Sequence, residues 1–190
     1  MIAADGWADD AWVCPSDHFN ERPAGTLVSL LIIHNISLPP GEFGGGYVQR
    51  FFTGRLDPLA HPYFGEIAAM RVSSHFLIER DGELTQFVSC LDRAWHAGQS
   101  HFAGCENCND FSVGVELEGT DTLAYTEAQY ATLLRLTGAL MTRFPGITPQ
   151  RITGHEHVAP GRKTDPGPAF DWPRFRGALD PLADGRGARA

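Results

Sequence analysis

Three segments have the pattern of apolar and polar residues that is typical of β-strands. The continuous apolar run SLLIIHNI at 29–36 is rich in β-branched residues, which predicts a central strand covered on both faces. The segment SVGVELEG at 112–119 alternates, which predicts a strand with its valines on one face and its two glutamates on the other. A further short strand is predicted for RITGHEHV at 151–158.

A β-hairpin is predicted for residues 73–89, where two strand-like runs are joined by Asp81-Gly82. This dipeptide is favoured in tight type I′ turns. The next segment, 90–111, has no period, and we interpret it as a long loop of the kind that often carries function. The first 26 residues contain several turn-forming residues and also predict a loop.

Helical spacing is clearest after Thr126, which forms a capping box with Gln129 and begins a predicted helix that ends before Pro145-Gly146. Shorter helices are predicted at 47–54 and from about 65 to 71, and a last one at 172–179 with Asp171 as its cap. No repeat or linker divides the chain. We therefore predict a single mixed α/β domain over 1–180 and a polar tail at 181–190.

Charge and hydropathy exclude several partners. The formal net charge is −8, which repels phosphate backbones and anionic lipids, so we expect neither nucleic acid nor a membrane as a partner. The longest apolar run, LVSLLII at 27–33, is far shorter than the roughly 20 residues of a membrane-spanning helix. The acidic N-terminal segment lacks the features of a secretory signal, so we expect a cytoplasmic protein whose four cysteines are free thiols.

Two of the eight histidines, His34 and His155, lie towards the ends of predicted strands, and a polar, Gly/Pro-rich loop follows His155. Catalytic zinc sites commonly use three nitrogen or oxygen ligands and leave a fourth position open. His34, His155 and Asp165 could supply such a set. Spacing alone equally permits His157 in place of His155, or Asp171 in place of Asp165.

Three further charged residues are candidates for the chemistry itself. Lys163 is the only lysine in the chain, and a compact ammonium there could stabilise developing oxyanion charge. Glu116 and Glu118 share the polar face of a predicted strand, where a glutamate is expected only beside water or a site. One of them is therefore the candidate general acid and base, and spacing does not distinguish the two.

Five segments carry a resemblance to a known enzyme family, in matching order between about Gly6 and Leu179. They are IIHNISLPPGEFGG at 32–45, LDPLAHPYF at 56–64, RAWHAG at 93–98, CNDFSVGVELEGTDTLAYT at 108–126 and GRKTDPGPAFDW at 161–172. In these segments the chain resembles the cytoplasmic bacterial 1,6-anhydro-N-acetylmuramoyl-L-alanine amidases, within the zinc amidase and peptidoglycan-recognition superfamily.

The resemblance implies an α/β fold with a central mixed β-sheet flanked by helices. It also implies roles for particular residues. Zinc (Zn2+) is implied to be held by His34, His155 and Asp165. Glu116 is implied as the catalytic carboxylate and Lys163 as the residue that stabilises the tetrahedral intermediate. The substrate-binding residues implied are Tyr63 beside the metal, Asn35, Trp95 and His96 in the pocket, and Arg71 and Arg162 as clamps for carboxylates of the stem peptide.

The family cuts the amide between the lactyl group and L-alanine in recycled cell-wall fragments, and thereby limits β-lactamase induction. The resemblance therefore implies a zinc-dependent amide hydrolase with a soluble anhydro-muropeptide substrate, and we expect a monomer. Three other interpretations remain: a peptidoglycan-binding module without catalysis, an envelope amidase acting on intact wall, and a metal hydrolase of another substrate class.

The chain departs from the family pattern at three places. Asn107 stands where relatives often have an arginine that contacts the stem peptide, and His157 adds an imidazole close to the site. Cys105 and Cys108, with His101 nearby, have the spacing of a metal-binding pair but lack a partner pair. Asn107 bears on peptide binding rather than on catalysis, the His157 imidazole bears on the surroundings of the metal, and the cysteine spacing is weak evidence for a second metal.

Overall fold

A six-stranded mixed sheet forms the centre of the molecule. The computed structural model describes the backbone of residues 1–183 and the side chains of residues 1–179. Across the sheet the strands lie in the order β1, β5, β4, β9, β3, β10, and β4 and β5 form its antiparallel pair. Their bounds are β1 Trp12–Val13, β3 Leu30–Ile36, β4 Phe76–Ile78, β5 Leu84–Gln86, β9 Ser112–Glu118 and β10 Ile152–Gly154.

Smaller elements complete the architecture. Two pairs of two-residue strands lie outside the main sheet: β2 Phe19–Asn20 with β6 Arg93–Ala94, and β7 His101–Phe102 with β8 Cys105–Glu106. The helices are α1 Tyr47–Phe52, α2 Pro62–Ile67, α3 Glu127–Arg143, α4 His155–Val158 and α5 Trp172–Ala183. The predicted mixed α/β fold with a central sheet flanked by helices is confirmed.

The two strands at the centre of the site are β3 and β9, which run parallel over seven residue pairs from Leu30–Ser112 to Ile36–Glu118. Both are buried along most of their length, because helices and loops cover both sides of the sheet. In this register His34 lies beside Glu116, and β10 pairs with the other edge of β3. The carboxyl ends of β9, β3 and β10 therefore meet, which is where open α/β sheets commonly bind ligands.

Helices α3 and α5 cover one face of the sheet. The predicted capping box is present, since the Thr126 side chain accepts the Gln129 N–H and the Gln129 side chain accepts the Thr126 N–H. Asp171 caps α5 as predicted, accepting the Arg174 N–H at 3.0 Å. Leu133 of α3 and Phe175 of α5 are fully buried in the core that packs on this face.

Helix α2 corrects the sequence prediction, which placed a helix from about 65 to 71 and a loop before it. The helix begins at Pro62, and His61 caps it by accepting the Tyr63 N–H at 3.1 Å. Proline is well suited to the first position of a helix, and Pro62 occupies that position here. With α1, this helix covers the other face of the sheet and packs Phe64 into the core there.

The hairpin turn also differs from its prediction. In a type I′ turn both central residues have positive φ, but here Asp81 does not, and Gly82 alone in the turn has a φ of 89°. The Gly82 N–H donates to the Glu79 carbonyl at 2.9 Å. Residues 79–82 therefore form a turn that ends at a glycine in the left-handed conformation. A side chain at Gly82 would also lie within 2.9 Å of the Ala128 carbonyl oxygen of α3.

Three further boundaries are corrected. The strand predicted at 151–158 ends at Gly154, and His155–Val158 form the short helix α4. The predicted loop at 90–111 contains the small strands β6, β7 and β8 and a 3-10 turn at Cys108–Asp110. Helix α5 continues to Ala183, three residues into the predicted tail, and the rest of that tail lies outside the described residues.

No helix in the described part of the chain is long and apolar enough to cross a membrane.

Candidate metal centre and active-site cavity

Three potential metal ligands converge at the carboxyl ends of β3 and β10. The Nδ1 atoms of His34 and His155 lie 3.0 Å apart, and Oδ2 of Asp165 lies 3.0 Å from each of them. These residues form the metal-ligand cluster found within the described residues. The structure therefore favours this set over the alternatives left open by spacing.

The two alternatives lie elsewhere. The exposed ring of His157 packs against Trp172, with ring centroids 6.2 Å apart. The carboxylate of Asp171 is used as the cap of α5.

The protonation states of His34 and Asp165 suit a cation. Burial lowers the pKa of His34 to about 4, so its ring is neutral near pH 7. Burial raises the pKa of Asp165, but close contacts to His155 and His34 outweigh this effect and hold that pKa well below its usual value. Two neutral imidazoles and one carboxylate are a ligand set that zinc prefers.

The outer nitrogens of both rings already have partners. His155 Nε2 lies 3.0 Å from the carbonyl oxygen of Ala97, so it is the nitrogen that carries the proton in the neutral ring. His34 Nε2 lies 2.9 Å from Nδ1 of His96. With these protons directed outwards, two nitrogen lone pairs and a carboxylate oxygen face one another. One divalent cation would satisfy all three atoms, so the residues present fit zinc.

Glu116 lies beside the metal ligands without a hydrogen-bond partner for one of its oxygens. Its side chain is only 7% exposed, and Oε2 is buried and unpaired. Burial raises the pKa of Glu116 well above its usual value, the charge of Asp165 raises it further, and Lys163 opposes this. A carboxyl group with a raised pKa beside a reaction centre can both take and give a proton near neutral pH.

Glu118, two residues further along β9, is equally buried at 4% exposure but has a full set of partners. Its carboxylate accepts the backbone N–H groups of Gly44 and Arg80. It thereby ties the glycine-rich loop before α1 to the sheet. The structure thus separates the two glutamates that the sequence could not, and leaves Glu116 as the candidate acid and base.

A cavity of about 380 Å³ opens above these residues. The cavity is lined by the three metal ligands, by Glu116 and by the exposed Lys163. Apolar side chains of α1 and α2 also line it. The further predicted pocket residues that line this cavity are Asn35, Tyr63, Trp95 and His96.

Comparison with known proteins agrees with this geometry. The family model described as N-acetylmuramoyl-L-alanine amidase matches residues 24–168. The chain belongs to this family. It is 58% identical over 181 residues to the 1,6-anhydro-N-acetylmuramyl-L-alanine amidase AmpD of Citrobacter freundii, covering 95% of this chain and 96% of that protein.

Two further relatives extend the comparison. AmpD of Escherichia coli strain K12 is 57% identical over 176 residues, covering 93% of this chain and 96% of that protein. The fold matches a crystal structure of a selenomethionine AmpD derivative with a TM-score of 0.90 and 58% identity, over 94% of this chain and 99% of the other. Membership of the amidase family, expected from the resemblance, is confirmed.

Trp95, one of the family-implied pocket residues, is held in place from three sides. The Trp95 ring stacks on the His18 ring with centroids 6.2 Å apart. The guanidinium carbon of Arg71 lies 5.6 Å from the centroid of the Trp95 ring. The indole N–H donates to Oδ1 of Asn20 at 2.6 Å. Arg71 therefore contacts the site through its packing on Trp95, which lines the cavity. The supporting roles of His18 and Asn20 were missed, because they lie in a segment that had no signal beyond turn-forming residues.

Asn35 and Arg162 have mainly structural partners. The Asn35 amide donates to Asp121 Oδ1 at 2.8 Å and to the Pro166 carbonyl at 3.1 Å, which fixes the loop that carries Asp165. Arg162 donates to the carbonyls of Ala97 and Gln99. It lines a neighbouring cavity of about 390 Å³ rather than the one above the metal ligands.

The departures from the family pattern lie at this second cavity and beyond it. Asn107 lines the second cavity and adopts a left-handed conformation with φ of 56°. Cys105 is exposed, Cys108 is buried, and both are free thiols, as expected for all four cysteines. Neither belongs to the metal-ligand cluster.

Proposed function

We propose that the chain is a zinc-dependent amidase that hydrolyses the bond between the lactyl group and L-alanine in soluble 1,6-anhydro-N-acetylmuramoyl peptides. The observation that carries the proposal is the unpaired, buried Glu116 carboxyl beside the cluster of His34, His155 and Asp165. Relatives named for this activity are 57–58% identical over nearly the whole chain, which supports the same substrate class.

An amide is a poor electrophile, so both the carbonyl and the attacking water need activation. Zinc at the three ligands would supply a Lewis acid for this purpose. Glu116 takes a proton from the attacking water and then delivers one to the leaving nitrogen of L-alanine. Its raised pKa suits both steps, because the group must hold a proton and release it within one turnover.

Lys163 stabilises the negative charge that develops on the carbonyl oxygen. Lys163 lines the cavity together with Glu116 and Asp165. A positive charge placed where an oxyanion forms lowers the transition-state energy more than that of the substrate. Tyr63 and Trp95 line the same cavity, where they would contact the bound substrate.

The proposal is tested by mass spectrometry of 1,6-anhydro-N-acetylmuramoyl-tripeptide incubated with the zinc-loaded protein. A chelator-stripped sample and an intact cell-wall substrate serve as controls. We expect release of free tripeptide from the soluble fragment, abolished by the chelator and restored by zinc. Cleavage of intact wall would favour an envelope amidase, and binding without cleavage of either substrate would favour a recognition module. Both results would contradict the proposal.

A further inference from the structure

Two consecutive residues, His96 and Ala97, contact the outer nitrogens of both metal-binding histidines. His34 Nε2 lies 2.9 Å from the His96 ring, and His155 Nε2 lies 3.0 Å from the Ala97 carbonyl. A histidine that binds metal usually directs its second ring nitrogen to such a partner, which sets the tautomer and the orientation of the ring. Here a single dipeptide provides both partners.

The His96–Ala97 dipeptide is itself fixed by a buried side chain. Oδ1 of Asn109 accepts the N–H of His96 at 3.2 Å and that of Ala97 at 2.8 Å. Asn109 is 5% exposed and lies in the 3-10 turn before β9. The position of the dipeptide relative to the sheet is therefore set by the protein and does not depend on a bound ligand.

The His96 ring fits against the sheet because β9 has a glycine at the point of contact. A Cβ atom at Gly114 would lie 2.6 Å from the His96 ring, too close for any other residue. His96 Nε2 lies 3.3 Å from Oγ of Ser112 on the same strand. Both ring nitrogens of His96 thus have partners within the protein, and neither is left to bind substrate.

These contacts define one consistent direction for the protons. When His96 Nε2 donates to the Ser112 hydroxyl, its Nδ1 is an acceptor and receives the Nε2 proton of His34. His34 then presents an unprotonated Nδ1 to the metal position. Without an acceptor at residue 96, the His34 Nε2–H would be buried and unpaired, and the ring would lose this restraint.

We propose that His96 is a positioning residue, which holds His34 in the tautomer and orientation that bind the metal. This role is distinct from the substrate contact expected from the resemblance. The inference rests on the zinc site of the proposed function, but it concerns metal affinity and not the choice of substrate.

The test compares the zinc affinity of the wild-type protein with that of two variants, measured by competition with a chromophoric chelator. His96→Leu removes both ring nitrogens at similar volume, and we expect zinc affinity to fall by about 10- to 100-fold. His96→Asn places an amide oxygen near the position of Nδ1, so it should restore most of that loss. His101→Ala, which removes an exposed histidine from the same loop, is the matched control and should bind zinc as the wild type does.

Two further measurements distinguish positioning from a general loss of structure. The melting temperature of each metal-free protein shows whether it is folded, and the spectrum of bound Co2+ reports the geometry of the ligands. If His96→Leu does not fold, Ser112→Ala serves instead, and its zinc affinity should fall by up to about tenfold. Equal zinc affinity in the folded variants and the wild type would overturn the inference. Failure of the wild type to bind zinc would instead overturn the proposed function.

Discussion

Strand β9 carries two buried glutamates in two contrasting regions of the molecule. In the Glu118 region, each carboxylate oxygen accepts a hydrogen bond from a backbone N–H group, that of Gly44 or that of Arg80. Around Glu116, one buried carboxyl oxygen lacks a partner, and the residue lines a cavity beside the metal ligands. An unpaired buried carboxyl costs stability, so its presence indicates a site at which function outweighs stability. Burial alone does not distinguish the two residues; their hydrogen-bond partners do.

The largest effect is expected from removing a metal ligand of the Glu116 region. His155→Ala should lose zinc binding together with all measurable turnover, because two remaining ligands hold zinc weakly. Equilibrium dialysis against zinc, with metal content determined by mass spectrometry, checks the first part. Stoichiometric zinc in this variant, under conditions that also saturate the wild type, would contradict the assigned ligand set.

Glu116→Gln should retain zinc and lose turnover by about 10²- to 10⁴-fold, since the amide cannot accept or donate the required proton. Steady-state kinetics on the zinc-loaded variant measure this loss. A variant with turnover near that of the wild type would show that another group carries the proton.

The same variant should change the pH dependence of stability in the metal-free protein. Because the folded-state pKa of Glu116 is raised, the wild type loses stability as pH rises from the ordinary glutamate value through that raised pKa. Glu116→Gln lacks this loss, so it should be more stable than the wild type at pH 8 and similar at pH 4. Urea unfolding at the two pH values measures the difference, and the opposite sign would contradict burial of an unpaired carboxyl.

Lys163→Ala should keep zinc affinity and fold stability but lose about 10²- to 10³-fold in turnover, the usual effect of removing one oxyanion-stabilising group. Lys163→Arg should recover only part of this loss, because a planar guanidinium cannot replace a compact ammonium. Kinetics and zinc titration on the same preparations check both statements. Normal turnover in Lys163→Ala would remove this residue from the mechanism.

The smallest effect on activity is expected in the Glu118 region. Glu118→Gln weakens the contacts to Gly44 and Arg80, so the free energy of unfolding should fall by about 1–3 kcal/mol. Turnover per folded molecule should stay close to that of the wild type. Urea unfolding combined with an activity assay normalised to folded protein checks this pair of outcomes.

The sequence predicted those features that depend on local pattern. The central strands, the capping box at Thr126 and the pairing of the hairpin strands follow from residue periodicity and local hydrogen bonds. The sequence did not predict that α2 begins at Pro62. Proline is common in loops and also at the first position of helices, and the local pattern does not distinguish the two.

Features of the site that depend on distant residues could not be predicted in this way. Glu116 and Glu118 lie on the same face of the same strand. They differ because Glu118 has partners 38 and 74 residues away in the chain. The role of His96 likewise depends on His34, Ser112 and a glycine on β9, which only the folded sheet brings together. Family resemblance implies Glu116 as the catalytic carboxylate, and the unpaired, buried oxygen of Glu116 is a physical argument for that proposal.

The most direct test of this account compares the turnover of zinc-loaded Glu116→Gln and Glu118→Gln on 1,6-anhydro-N-acetylmuramoyl-tripeptide, each normalised to folded, zinc-containing protein. The account predicts that Glu118→Gln cleaves the fragment at nearly the wild-type rate, while Glu116→Gln is slower by about 100-fold or more. Equal rates in the two variants, or a greater loss in Glu118→Gln, would contradict the assignment of proton transfer to the unpaired carboxyl.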